Sequence, residues 1–205
     1  MQEPRSEGVH GAIILAAGAS SRMGTAKQVL PWKGSTLLQH CIDQVRASPV
    51  DEIVVVLGAN SELVESQTDL TGVHNVFNSN WDTGMASSIV AGLQRLLELS
   101  PGLRSVLILL SDQPLLDYKF YNKLLINYLE GTKKIVSSSY SGQLGVPVLF
   151  DRHYFNELLG LRGDKGARAL VRAHREEVIA VDAGDQAVDL DTEEKYRHYY
   201  ELFGR

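Results

Sequence analysis

Gly11-Ala-Ile-Ile-Leu-Ala-Ala17 runs straight into Gly18-Ala-Ser-Ser-Arg-Met-Gly24, and this junction decides the fold. An unbroken apolar run, with no polar residue on alternate positions, fits a strand covered on both faces. The glycine- and serine-rich stretch after it has loop composition. Ile53-Val-Val-Val-Leu57 and Ser105-Val-Leu-Ile-Leu-Leu110 repeat the strand pattern, and further strands are expected at 73–77, 135–139 and 146–150. Helical spacing fills the intervals. Thr36-Leu-Leu-Gln39 has the form of a capping box, and Leu37, Leu38, Ile42 and Val45 continue it as an apolar stripe. Asn60 is placed to cap a short helix ending near Gln67. Longer helices are expected at 84–99, 117–129, 164–173 and 192–203, the first stopped by Pro101-Gly102. Strands alternating with helices imply right-handed βαβ units: an α/β fold with a mostly parallel sheet, helices on both faces and an antiparallel excursion late in the chain.

The 205 residues suit one domain, expected over 11–205 behind a flexible tail at 1–10. With 44% hydrophobic and 22% charged residues, low-complexity and disordered classes are excluded. Cys41 is the one cysteine, so no intramolecular disulfide can form, and its place beside the first helix's stripe makes it a packing residue. A net charge of −5 opposes nucleic-acid binding, whose footprint is basic. No apolar run approaches a membrane span, and the polar first residues carry no signal-peptide core, so a cytoplasmic location is expected.

Ligands of open α/β sheets bind beyond the carboxyl ends of the strands. Leu15-Ala-Ala-Gly-Ala-Ser-Ser-Arg-Met-Gly-Thr-Ala-Lys27 leaves the first strand at that edge. Gly18 and Gly24 let the backbone approach a ligand, successive amides form an anion-binding concavity, and Arg22 and Lys27 add cations. The chemistry is that of a polyphosphate site; a solvated strand-to-helix connection is the bland alternative. Five residues between the glycines rule out a P-loop, and Ala19-Ser20 breaks a dinucleotide fingerprint. Ser111-Asp-Gln-Pro114 follows the strongest strand. Asp112 there can hold Mg²⁺ against phosphate oxygens, or simply close a turn before Pro114. In Asp189-Leu-Asp-Thr-Glu193, Thr192 reads as the cap of the last helix, which leaves Asp189 and Asp191 unexplained. Tyr196, Tyr199 and Tyr200 have helical spacing and are expected to pack.

The first loop resembles the signature of the nucleotidyltransferases that act on the molybdenum cofactor. The resemblance extends over about residues 11–195. It takes in Asn78-Ser-Asn-Trp-Asp-Thr-Gly-Met-Ala-Ser-Ser-Ile89, Leu110-Ser-Asp-Gln-Pro114, Gly145-Val-Pro-Val-Leu-Phe150, Gly163-Asp-Lys-Gly-Ala-Arg168 and Asp189-Leu-Asp-Thr192. It implies a Rossmann-like nucleotidyltransferase fold. Leu15-Ala-Ala-Gly18 is similar to the cytidylyl-transferring branch, whereas the guanylyl branch usually has Leu-Ala-Gly-Gly. Transfer of CMP from CTP to the terminal phosphate of molybdopterin is then expected, with Mg²⁺ as cofactor and a recipient molybdoenzyme as a candidate partner. By the same resemblance Arg22, Lys27 and Asp112 are catalytic. Leu15, Ala16, Ala17, Gly18, Ser20, Gly24, Lys27, Asn78, Gly84, Ser87 and Asp112 bind nucleotide. Gln113, Gly145 and Pro147 face the acceptor, and Asp112 holds the metal, with Asp191 as a candidate second ligand. The chain departs at Gly145-Val146-Pro147, where the cytidylyl branch often has Gly-His-Pro, which leaves the acceptor open. Transfer to another phosphorylated small molecule is the related alternative, and a non-catalytic cofactor-binding chaperone is the alternative of another class.

Overall fold

The structure, a computed structural model, describes residues 8–205 apart from the side chain of Arg22. Along the chain, β1 (Val9–Leu15) leads through the glycine-rich loop to a small hairpin, β2 (Pro31–Trp32) and β3 (Ser35–Thr36). Then follow α1 (Leu37–Arg46), β4 (Glu52–Leu57), α2 (Ser61–Gln67), β5 (His74–Phe77), α3 (Met85–Leu99) and β6 (Leu103–Leu110). The later part comprises α4 (Tyr118–Glu130), β7 (Ile135–Tyr140), β8 (Gln143–Asp151), α5 (Phe155–Leu159), α6 (Ala167–Ala173), β9 (Val178–Asp182) and α7 (Glu193–Tyr199).

Seven strands form one sheet in the order β5-β4-β1-β6-β8-β7-β9. β8 runs antiparallel to both neighbours and every other pair is parallel, so the late excursion is a single reversed strand. Alternation along β1 explains its apolar run. Ile13 and Leu15 pack under α3, α5 and α6, with Ile89, Leu93, Phe155 and Leu170. Ala12 and Ile14 face α1, α2 and α4, with Ile42, Val64 and Leu124. A strand between two helical layers has no solvent face to mark with polar residues. Cys41 is buried in the second layer, as its position on the stripe implies.

A third, smaller core holds the C-terminus. Trp32, Leu37 and Leu190 are fully buried, with Tyr196, Tyr199 and Tyr200 packed against them. Lys33 and Gly34 both take positive φ, 48° and 77°, which is the two-residue hairpin turn whose twist matches its strands. The Lys33 amide donates to the Gly204 carbonyl at 2.6 Å, and the Tyr196 hydroxyl to the Pro31 carbonyl at 2.8 Å. The last helix is thereby clamped over the hairpin.

Several expected boundaries move. β1 begins at Val9, inside the expected tail, because the His10 amide donates to Asp51 at 2.7 Å and its ring is buried; residues 1–7 lie outside the described residues. The helix expected at 164–173 starts at Ala167, since Gly163 (φ 64°) belongs to a loop. Thr36 caps α1 by accepting from the Gln39 amide at 3.1 Å, but the Gln39 side chain turns to Asp43 and the Asp69 amide, so the capping box is half made. Asn60 precedes α2 without a side-chain cap bond. β2, β3, α5 and β9 are additions. β9 is a short edge strand in which only Val178 and Val181 are buried, and charged residues precede it, so it has neither the length nor the unbroken apolar run that marks the central strands. Among the described residues no helix is long and apolar enough to cross a membrane.

Candidate active site

β1 and β6 are parallel neighbours in register, Leu15 opposite Leu110, so the segments leaving their carboxyl ends emerge side by side. A cleft of about 510 Å³ opens there. The glycine-rich loop forms one wall through Leu15, Ala16, Ala17, Gly18 and Ala19. Its shape is locked by internal bonds. Ser20 sits in the left-handed region (φ 55°, ψ 34°), with Gly24 at φ 65° closing the following turn. The Ser20 hydroxyl accepts from the Lys27 amide at 3.1 Å. Gln28, 1% exposed, donates from Nε2 to the carbonyls of Ala16 and Gly18, at 2.7 and 2.9 Å. Gly58 lets β4's exit pass close: a Cβ there would lie 2.6 Å from the Ala17 oxygen and 2.8 Å from the Ala17 methyl.

Lys27 and Asp112 meet across the cleft floor as an ion pair, the ammonium partly exposed and the carboxylate nearly buried. Burial pushes the Asp112 carboxyl above the usual carboxylate range, and the Lys27 charge pulls the other way. The turn carrying Asp112 also fixes the C-terminal segment. The Leu190 amide donates to the Asp112 carbonyl at 2.9 Å, and Gln113 Nε2 donates to Asp189 Oδ1 at 2.7 Å. Asp189 and Asp191 therefore line the same cleft as Asp112. Asp191 is paired with Lys195 at 2.8 Å, one turn on.

Among the described residues no three His, Cys, Asp or Glu side chains converge to hold a metal unaided. The donors present are carboxylate oxygens. That set fits a hard divalent cation that takes one or two carboxylates from the protein and the rest of its shell from phosphates and water. Asp112 is placed to hold it, and Asp189 and Asp191 line the same cleft; Asp189 was not among the expected ligands. Its bond to Gln113 anchors it beside the Asp112 turn, and the sequence signal was only the spare carboxylate in Asp189-Leu-Asp191.

Of the other expected residues, Gly84 lines the cleft. It takes φ 113° and ψ 170°, and a Cβ there would lie 2.5 Å from the Gly163 carbonyl group. Asn78 and Ser87 are placed differently. They line a separate cavity of about 310 Å³. Asn78 is buried and its Nδ2 donates to Ser87 and Ser88, at 2.8 and 3.0 Å, so it braces the start of α3 while Ser88 reaches the cleft. Ser20 and Gly24 likewise shape the loop from behind. Gln113 is buried and bonded through Nε2 to Asp189. Pro147 is buried within β8. Gly145 stands beside Arg168 and Tyr140. The side chain of Arg22 lies outside the described residues. Trp81, Asp82, Met85 and Asp164 also line the cleft without having been expected there.

The MobA-like NTP transferase domain matches residues 12–178. The chain belongs to the MobA-like NTP transferase family. It is thus a nucleotidyltransferase, and the glycine-rich loop and buried Asp112 lie within the matched region. Nicotine blue oxidoreductase of Paenarthrobacter nicotinovorans is 33% identical over 90% of this chain and 94% of its own length. Purine catabolism protein PucB of Bacillus subtilis is 30% identical over 90% and 92%. The solved structure of Rv0371c from Mycobacterium tuberculosis superposes with a TM-score of 0.83 at 29% identity, covering 95% of this chain and 98% of that one. Rv0371c has also been solved in complex with manganese, and that structure superposes with a TM-score of 0.79 at 28% identity over 94% and 98%.

Proposed function

We propose that this nucleotidyltransferase moves CMP from CTP to the terminal phosphate of molybdopterin, giving the cytosine dinucleotide form of the cofactor and pyrophosphate. The observation that carries the reading is the meeting of Lys27 and Asp112 beneath a backbone-walled cleft at the carboxyl ends of β1 and β6. An oxygen of the acceptor phosphate attacks the α-phosphorus, the bond to the bridging oxygen breaks, and the electron pair leaves on pyrophosphate. The attacking phosphate is ionised near neutral pH, so the protein needs to supply position and charge instead of a general base.

The loop from Ala17 to Gly24 holds the triphosphate with its backbone. Lys27 leaves Asp112 for the phosphates and stabilises charge developing on pyrophosphate, helped by Arg22. Asp112 and Asp189 would hold a divalent cation, Mg²⁺ in this reading, which would supply neutralisation of phosphate charge. The manganese complex of Rv0371c supports a divalent metal here. Gly84 and Ser88 approach the base. Ala17 turns its methyl toward Gly58 at the exit of β4, and an unchanged base preference in Ala17→Gly would show that this methyl does not select the pyrimidine.

A second reading draws on the 33% identity with nicotine blue oxidoreductase: a redox reaction at the same cleft. One experiment separates them. Thermal unfolding is followed with Mg²⁺ and CTP, GTP or ATP, then pyrophosphate release is measured with molybdopterin. Stabilisation by CTP above the others, with stoichiometric pyrophosphate, supports cytidylyl transfer. A preference for GTP or ATP overturns the base assignment, and background pyrophosphate with consumption of a reductant favours the redox reading.

A further inference from the structure

A second cleft, of about 440 Å³, adjoins the first and shares Met85, Leu110, Asp164 and Asp189 with it. The two differ in charge. The larger cleft has five carboxylates, Asp82, Asp112, Asp164, Asp189 and Asp191, against Lys27 among the described side chains. The second adds Lys165, Arg168 and Arg172, all beyond the shared wall. Among the described residues none of these three is ion-paired, so their charge is directed at whatever enters the cleft. Arg168 is half-buried and held: its guanidinium donates to the Tyr140 hydroxyl at 3.0 Å. Gly145 stands beside this pair: a Cβ there would lie 3.2 Å from the Tyr140 ring and 3.4 Å from Nε and one terminal nitrogen of Arg168. The rest of the lining includes an apolar surface of Met85, Leu110 and Val146, and Met85 is 44% exposed despite its apolar side chain.

We propose that this second cleft seats the acceptor, with Lys165, Arg168 and Arg172 holding its phosphate monoester and the apolar wall taking its ring system. The inference rests on the nucleotidyl-transfer reading and assigns the other substrate's place in it. A planar guanidinium fixed by Tyr140 suits bidentate contact with phosphate, while the two exposed cations add charge. The carboxylate-rich side repels a second anion unless a cation covers it, whereas the cationic side attracts one. The acceptor phosphate is thereby brought to the shared wall, next to the triphosphate cleft.

The test fills the triphosphate cleft with Mg²⁺ and α,β-methylene-CTP and then titrates inorganic phosphate, reading the unfolding temperature against chloride of equal ionic strength. Arg168→Gln and Arg172→Gln are compared with wild type and with Lys123→Gln on the exposed face of α4. General salting effects of phosphate act on all four alike and cancel in the comparison. The expected result is a phosphate-dependent rise in wild type and Lys123→Gln, with apparent affinity about tenfold weaker in each arginine variant. Equal phosphate dependence in all four proteins overturns the proposal, as does its absence in wild type. Arg172 is exposed, so Arg172→Gln decides the matter should Arg168→Gln not fold. In turnover, the arginine variants raise KM for molybdopterin about tenfold and leave KM for CTP unchanged; the reverse pattern overturns the proposal. A wild-type protein that titrates phosphate as expected but releases no pyrophosphate with CTP refutes the transfer reading and leaves the anion site standing.

Discussion

Gln28→Met tests whether the glycine-rich loop owes its shape to one buried amide. Methionine matches glutamine in length and volume but donates nothing, so packing is kept while both Nε2 bonds are lost, along with the long 3.4 Å bond that Oε1 accepts from the Ser20 hydroxyl. The Ala16 carbonyl belongs to a residue only 4% exposed. Losing its 2.7 Å partner leaves it with little access to water, at a cost of about 1–3 kcal/mol. Gly18 is exposed, so water replaces the 2.9 Å bond to its carbonyl and the loss there is about 0.5–1 kcal/mol. Burial of the apolar methionine tip offsets up to about 1 kcal/mol. The net is a destabilisation of about 2 kcal/mol, which for a chain of this length lowers Tm by about 4–8 °C. The loop wall also loosens, so KM for the triphosphate rises several-fold while the acceptor KM holds. Differential scanning calorimetry and steady-state pyrophosphate release measure the two effects. A Tm within about 1 °C of wild type together with an unchanged triphosphate KM would refute the claim that Gln28 holds the loop.

Other outcomes follow from the same geometry. Asp112→Asn keeps the shape of the turn but removes a metal-holding charge, so turnover falls by at least about a hundredfold with the circular dichroism spectrum unchanged; near-normal turnover by a folded variant ends the metal role. Gly84→Ala combines positive φ with a 2.5 Å approach to Gly163 and costs about 2–4 kcal/mol, whereas Gly142→Ala, also at positive φ but in open space, costs about 1 kcal/mol; equal urea midpoints for the two would show that the contact with Gly163 yields freely. Stability should also fall in mild acid. Burial lowers the imidazole pKa values of His10 and His40 below 6.5, so the unfolded chain binds protons there before the folded one. Their contribution is complete above pH 6.5 and is lost as pH drops through and below that value. The raised Asp112 acts in the opposite direction, so the informative quantity is the difference between wild type and a His40→Gln variant. Urea unfolding from pH 7.5 to 5.0 should give a shallower slope for the variant, and parallel curves would contradict the assignment.

The central strands were legible because burial on both faces leaves an unbroken apolar mark in sequence. β1, β4 and β6 carry that mark, and their parallel order places Lys27 near Asp112 before any coordinate is known. What was not legible depends on single side-chain bonds. Thr192 as the helix cap left both Asp189 and Asp191 unexplained, and the structure gives each its own partner, Gln113 for Asp189 and Lys195 for Asp191. Spacing along a chain does not encode which of two nearby carboxylates a glutamine in a distant turn will choose. Ser87 and Ser88 pose the same problem at a helix start: successive residues diverge by about 100° around the axis, and only one of the pair reaches the cleft.

The charge of the site is the least legible property and the most consequential. Only the segment from Asp182 to Glu194 is visibly acidic in the sequence, yet four separated segments bring Asp82, Asp112, Asp164, Asp189 and Asp191 to one cleft. Against them stands Lys27, already engaged by Asp112. A triphosphate entering alone would meet like charge on most sides, and Lys27 could join it only by leaving a nearly buried carboxylate uncompensated, a costly state in a low-dielectric setting. A divalent cation solves both problems at once, because it covers the carboxylates and frees the ammonium for the phosphates. Metal and nucleotide binding should therefore be strongly coupled: each weak alone, tight together, and Lys27→Ala should strengthen binding of the metal in the absence of nucleotide while weakening binding of the triphosphate. Titration of Mn²⁺ by electron paramagnetic resonance, with and without CTP, reads this coupling directly. Independent, additive affinities would show that the ion pair is a structural bond with no part in loading the site.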